Sequence, residues 1–296
     1  IGWDIVRFFR EIPRSLANGI ADDTTLEDYL QHHQYSHAFA HGFLYPAFAG
    51  ICTCSHDSIR RYPARVVLEY LNSGILLSSV QRVTRGTQEV VELLARDVQQ
   101  ICLGEAIGAV AVSSSGVTLS TDDAEATFDH VVMATQANQT MNMLAHGSAE
   151  ELDTLARFRY EPSTVIVHTD TRLAPRGGEK RWAPVNFLLP DDVSTPMATI
   201  WMNAIQPMLG DGPVFQTWNP IIEPEAQAII GEAAFERPVV TAQSLRGLTE
   251  LARLHEQRDR RLWFCGSYAS HGIPLLESAT NSAIAIAQRI SRNANP

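Results

Sequence analysis

Long apolar runs are missing from this chain. None reaches the roughly 18 residues that a membrane-spanning helix needs, and no charged-then-apolar leader precedes Ile1. The expectation is a soluble, cytoplasmic protein. Basic charge is also in deficit, with 23 Lys and Arg against 33 Asp and Glu and a formal net charge of −10, so a nucleic-acid partner would meet net repulsion. Cysteine is scarce. The four present, Cys52, Cys54, Cys102 and Cys265, are too scattered for a disulfide framework. Cys52-Thr-Cys54 has no second pair to complete a metal site, and structural thiols in a reducing compartment are the better reading. There is no internal repeat or low-complexity stretch and no Gly-x-Ser-x-Gly nucleophile turn. The carboxylate pairs Asp22-Asp23, Asp122-Asp123 and Asp191-Asp192 fall in polar turns, where solvation accounts for them. Cofactor-borne chemistry is therefore the best catalytic expectation.

What is present fits a globular α/β enzyme. At 296 residues and 45% hydrophobic, the chain can bury a sizeable core in one or two domains. Residues 1–77 read as helical, with Thr25-Leu-Glu-Asp28 as an N-capped start and Ser58 to Leu71 apolar at helical spacing. Residues 78–146 read as strand, helix (Gln88 to Gln99), strand, hairpin, strand and the start of a helix. Three further strands follow, Val165–Thr169, Ala198–Asn203 and Val214–Trp218, then a helix from Thr241 to Arg258. The tail reads as a buried strand (Leu262 to Cys265), a Gly-Ser turn, a loop, and a helix from Glu277 to Ile290 with small residues at Ser278, Ala279, Ser282, Ala283 and Ala287. Such a helix lets its backbone approach a ligand closely, and its first N–H groups favour negative charge. His33, His37 and His41 share one stripe if a helix carries them, and two such histidines can bind zinc. Structural or pocket-lining histidines are the preferred reading, and no metal is expected. The aromatics Phe39, Phe43, Tyr45 and Phe48 suit either a core or an apolar tunnel.

The tail, Arg261-Leu-Trp-Phe-Cys-Gly-Ser-Tyr-Ala-Ser-His-Gly-Ile-Pro-Leu-Leu-Glu-Ser278 and the helix that continues it, resembles the C-terminal flavin-binding motif of the FAD-dependent amine oxidase superfamily, in its flavin-containing amine oxidoreductase or predicted NAD/FAD-binding branch. Other segments resemble that family in the same order: Arg82 to Leu94, the Ala106–Thr121 strands, Phe128 to Thr135, Tyr160 to Asp170, Trp201-Met-Asn203 and Thr217-Trp-Asn-Pro220. The resemblance implies two interleaved domains. The FAD-binding domain would comprise residues 78–148 with 259–296, and the substrate domain residues 1–77 (helical) with 149–258 (sheet and helix).

It also implies a set of cofactor contacts. Gly266, Ser267 and Tyr268 would lie beside the isoalloxazine and ribityl region, with Ile273, Pro274, Leu275 and Leu276 along the ring. Glu277 and Ser278 would stand at the helix start, Arg85 and Gly86 near the phosphates or ribityl chain, and Ile107 at the adenine. An apolar substrate pocket would be faced by Tyr45, Phe48, Trp201 and Tyr268. The family's opening Gly-x-Gly-x-x-Gly turn, which takes the diphosphate, has no counterpart, and Gly86 stands alone where the family writes more glycines. The expectation is therefore a fragment or one chain of a processed or split protein, lacking the first βαβ unit, with a missing segment or second chain completing the FAD site. The implied activity is hydride transfer from a small organic, lipid or secondary-metabolite substrate to flavin. A redox-inactive relative acting as a binding partner, and a redox-neutral isomerase or cyclase using the same pocket, remain open alternatives.

Overall fold

The computed structural model describes residues 1–75, 81–144, 147–188, 196–206, 209–210 and 212–294. The helical region comprises α1 (Gly2–Asn18), α2 (Leu26–His32) and α3 (His37–Phe39), which runs through a widened turn (Ala40–Leu44) into α4 (Tyr45–Cys52), then α5 (His56–Arg60) and α6 (Ala64–Asn72). Thr25 starts α2 as expected, its hydroxyl accepting the Asp28 N–H at 3.0 Å while the Asp28 carboxylate accepts the Thr25 N–H at 3.3 Å. The single helix expected over Ser58–Leu71 is two. Pro63 stands at the N-cap of α6, and a proline disfavours helical backbone in the residue before it. Phe8, Phe39, Tyr45, Ile59, Tyr62 and Leu68 fill the interior of this region at 2% exposure or less.

The next helix, α7 (Thr87–Ala95), ends short of the expected Gln99. The strand expected ahead of it falls partly on residues 76–80, outside the described residues, as does the Asp191-Asp192 pair, and Gln81–Val83 form no strand. β1 (Ala109–Val112), β2 (Val117–Ser120) and β3 (Glu125–Phe128) make the expected antiparallel meander. β4 (Val131–Met133) then leads to α8 (Ala137–Met143) and α9 (Ala149–Leu155).

A five-stranded antiparallel sheet follows, ordered β6-β7-β8-β5-β9, from β5 (Arg159–His168), β6 (Val185–Leu188), β7 (Met197–Trp201), β8 (Phe215–Trp218) and β9 (Ile229–Val239). The strand expected to run on to Asn203 stops at Trp201, because Met202–Ile205 coil into the short helix α10. The 11-residue β9 escaped sequence reading. It contains Gly231 and Pro238 and lacks alternation, features tolerated at a sheet edge, and β9 is an edge strand. After α11 (Ala242–His255), capped by Thr241, β10 (Leu262–Phe264) pairs in parallel with β4, and α12 (Leu276–Ala294) closes the described chain.

Two large apolar clusters result. The helical one also takes Val239, Val240, Leu245 and Ile273; the other joins Val110, Val117, Met133, Leu155, Phe158, Leu254, Phe264 and Tyr268. The tail loop contributes to both.

Candidate cofactor site

β4 and β10 end side by side. The Cys265 N–H donates to the Met133 carbonyl at 3.0 Å, so the strands deliver Ala134-Thr135-Gln136 and Gly266-Ser267 to one sheet edge. The carboxyl ends of parallel strands are where ligands of open α/β sheets bind. Gly266 turns the chain out of β10 at φ 143°, a backbone conformation that a side chain resists, and a Cβ there would stand 3.1 Å from the Tyr268 ring. The small residues of α12 close onto this turn. Ser282 Oγ accepts the Gly266 N–H at 2.9 Å, and Ser278 Oγ donates to the Ile273 carbonyl at 2.8 Å. The close approach expected of the helix is therefore made to the chain's own loop, and the Ser278 hydroxyl is engaged there. Leu276, at 87% exposure, and the exposed Glu277 begin α12 in the open.

The loop between Gly266 and Leu275 is a seam between the two clusters. Tyr268 inserts into one, its ring edge-on to Phe158 at 4.9 Å; burial pushes its phenol pKa up, and its hydroxyl is buried without a partner. Ile273 inserts into the other cluster, and Leu275 packs against it. Two contacts that the sequence did not suggest pin the loop. His271 Nε2 meets the Glu69 carboxylate at 2.6 Å, and Arg237 donates to the Pro274 carbonyl at 3.4 Å. Ser267, Tyr268 and Pro274 share a small closed space of about 10 Å³ with Phe158 and Val240. Beside the seam, the carbonyl oxygens of the Gln136 and Asn138 side chains are buried without donors, while their amide groups bind Glu236. Sequence reading passed over both residues, since isolated amides in a helix start carry no pattern.

The other expected cofactor residues lie apart from the seam. Ile107 packs against the second cluster. Arg85 is 79% exposed and among the described residues pairs with Glu89 alone, at 3.1 Å, and Gly86, at φ 87°, precedes α7. No hydrogen bond among the described residues joins 83–106 to the tail. The four expected pocket residues fall into three groups. Tyr45 and Phe48 are core residues of the helical cluster at 2% and 3% exposure, where burial pushes the Tyr45 phenol up to about 12. Tyr268 belongs to the second cluster. Trp201 is half-buried at the end of β7, edge-on to Trp182 at 5.4 Å, with its indole N–H buried and unpartnered.

The histidine stripe is broken. Gln34 takes a left-handed turn (φ 53°), leaving His33 near Glu11 at 3.5 Å. His37 and His41 stack at 4.0 Å, with His56 5.2 Å from His41. Burial lowers the proton affinity of His41 and His56. Among the described residues no group of His, Cys, Asp and Glu is arranged to hold a metal ion, and no helix is long and apolar enough to cross a membrane.

No family model and no curated protein matches this sequence. Solved structures do. A conjugated-linoleic-acid-producing fatty acid isomerase from P. acnes is similar with a TM-score of 0.67 over 96% of this chain and 74% of its own, at 13% identity. An oxidoreductase from Methanosarcina mazei is similar with a TM-score of 0.66 over 96% of this chain and 72% of its own, at 12% identity. This chain shares their fold. The likeness agrees with the mixed α/β architecture that the sequence implied.

Proposed function

We propose that this chain is the larger portion of an FAD-dependent oxidoreductase or isomerase of amine-oxidase-like fold, with the tail seam as the ring side of its cofactor site. The observation that carries this reading is the joint ending of β4 and β10 at Gly266, with the open start of α12 beside it. The residues fit a flavin on that side. Gly266 leaves the sheet without a side chain, Leu276 offers apolar surface, and the α12 N-terminus favours negative charge on a ring. A flavin bound there would supply hydride acceptance and return. The chain's own residues would hold the ring edge through the Ser267 backbone, beside a Gly266 that Ser282 fixes in place, and exclude water with Tyr268, Ile273 and Pro274. Trp201, with its unpartnered indole N–H, is the best candidate for a substrate contact from the antiparallel sheet. The substrate is a small apolar organic molecule.

Among the described residues no diphosphate holder is apparent, and the reading includes a completing segment or second chain. The surface it would cover is apolar and open: none of the nine residues of α7 is buried, Leu94 and Leu103 are 80% and 87% exposed, and Val132 of β4 is 42% exposed. The two similar structures also extend beyond this chain, which covers 74% and 72% of them. Intact mass spectrometry with a visible absorbance scan on protein from its native source tests the proposal. A longer or second chain carrying flavin is expected, with the 296-residue chain alone holding FAD weakly or not at all. Stoichiometric FAD on that chain by itself would remove the completing segment. A completed protein free of flavin would favour the redox-inactive binding partner.

A further inference from the structure

A large cleft among the described residues lies away from the seam. It opens at the other end of the same two strands, beneath the starts of β4 and β10, with a volume of about 1010 Å³. The end of α11, the turn through residues 256–261 and the later turns of α12 enclose it. Arg258, Arg260, Arg261, Arg289 and Arg292 line it with two acids, Glu256 and Asp259. In a chain of net charge −10, this is a local reversal of sign.

The protein neutralises few of these charges. Arg260, 7% exposed, forms the floor. It donates to Glu151 at 3.0 Å and to Gln257 at 3.2 Å, and its Nε–H is buried without an acceptor. Among the described residues Arg261 reaches the Asp129 backbone carbonyl, at 3.2 Å, and forms no ion pair with a carboxylate. Arg289 forms a loose ion pair with Glu256 at 3.9 Å, too long for a hydrogen bond. Arg258 and Arg292 make no ion pair among the described residues. The field reaches His255, whose proton affinity is lowered first by burial and then by Arg260 and Arg289. Arg258, Arg261 and Arg292 thus share the cleft with no carboxylate partner among the described residues, and an anion of several charges would relieve their mutual repulsion.

We propose that this cleft binds a small anion carrying two or more phosphate groups. Guanidinium groups match phosphate oxygens in paired, charge-assisted hydrogen bonds, and arginines on two walls can engage phosphates that a single-charge anion could not bridge. A nucleoside diphosphate and free pyrophosphate present the same chemistry. The cleft lies at the opposite strand ends from Gly266, so the proposal does not rest on the flavin reading.

Calorimetric titration of the full chain with pyrophosphate, and separately with ADP, at matched ionic strength tests it. One saturable site is expected for pyrophosphate, weakened about tenfold or more in Arg258→Gln/Arg292→Gln, as the loss of charge-assisted bonds implies. Both side chains are exposed, so the ligand-free melting temperature should stay unchanged. ADP binding tighter than pyrophosphate would support a nucleotide as the ligand, and equal binding the diphosphate alone. Binding no stronger than that of sulfate, or undiminished in the double variant, would overturn the proposal. So would a site lost in Gly266→Val and retained in the arginine variant, which would put the anion at the tail. Flavin content, measured in parallel, reports on the seam independently.

Discussion

Helices α6 and α7 are both nine residues long, and both carry an adjacent pair of valines followed by leucines. α6 buries Ala64, Val66, Val67, Leu68 and Leu71, whereas α7 buries nothing. The helical region around α6 closes on itself, with α1 and α2 against it. The stretch from 83 to 106 instead holds Val90, Val91, Leu93, Leu94, Val98, Ile101 and Leu103 out to solvent. Burial is the main force behind such a pattern, so one region has buried its apolar face and the other leaves it in the open. The same contrast divides the sheets. The five-stranded antiparallel sheet is broad, while the parallel one has, among the described residues, β4 and β10 alone, and Val132 is exposed on it.

The largest effect should come where a charge pair is sealed. Glu151→Ala strands Arg260 in the interior, the side chains of the pair being 11% and 5% exposed, and should cost about 3 to 5 kcal/mol in urea melts. A loss below about 1 kcal/mol would mean that water reaches the pair. In the closed region, Leu68→Ala leaves a cavity at a fully buried site and should cost about 2 to 5 kcal/mol; a small loss would show that this core is looser than its packing. At the seam, Gly266→Val forces a side chain into φ 143° against the Tyr268 ring, at about 1 to 3 kcal/mol. Its readout is the melting temperature alongside flavin content in the completed protein, and unchanged values of both would remove the seam from the site.

A subtler effect is a slope with pH. His255 is held neutral in the fold, its Nε2 accepting the Phe264 N–H at 3.2 Å, and its pKa is lowered to about 3. The unfolded chain protonates this ring near its ordinary value of about 6.5. Its stabilising contribution is therefore complete above that pH and falls progressively as the pH drops towards 3, by up to about 1.4 kcal/mol per unit. His255→Gln should flatten the loss between about pH 6.5 and 5, and an equal slope in both proteins would show that the ring takes up a proton in the folded state. The smallest effect belongs to the open region: Leu94→Ala should change the stability of the chain alone by less than about 0.5 kcal/mol. A large loss would mean that α7 is packed already, and the contrast with α6 would collapse.

The elements that were legible share a local cause. Thr25 and Asp28 cap a helix wherever the chain places them, the 109–128 strands alternate, and the tail writes strand, glycine and small-residue helix in succession. What was misread was settled by neighbours or by a single residue. Pro63 split a helix whose apolar spacing ran straight through it, and β9 pairs along its whole length with β5 although its own sequence barely alternates. In the candidate site, Gly266 and Tyr268 stood out as residues. Gln136, Asn138, His271 and Arg237 did not, because they reach the seam from elements remote in sequence or across a loop with no motif of its own.

The sequence alone determined the acidic, α/β character of the chain, the order of most of its elements and the glycine turn of its tail, since these depend on composition, spacing and backbone preference within a few residues. Tertiary structure decided the rest. It sent Tyr45 and Phe48 into the core and left Trp201 half-covered on the sheet, because burial depends on what stands opposite a residue. It separated His33 from His37 and His41 through one left-handed residue. It also drew five arginines from a turn and a helix into one cleft, because electrostatic potential sums over distance in space, where positions far apart in sequence become neighbours.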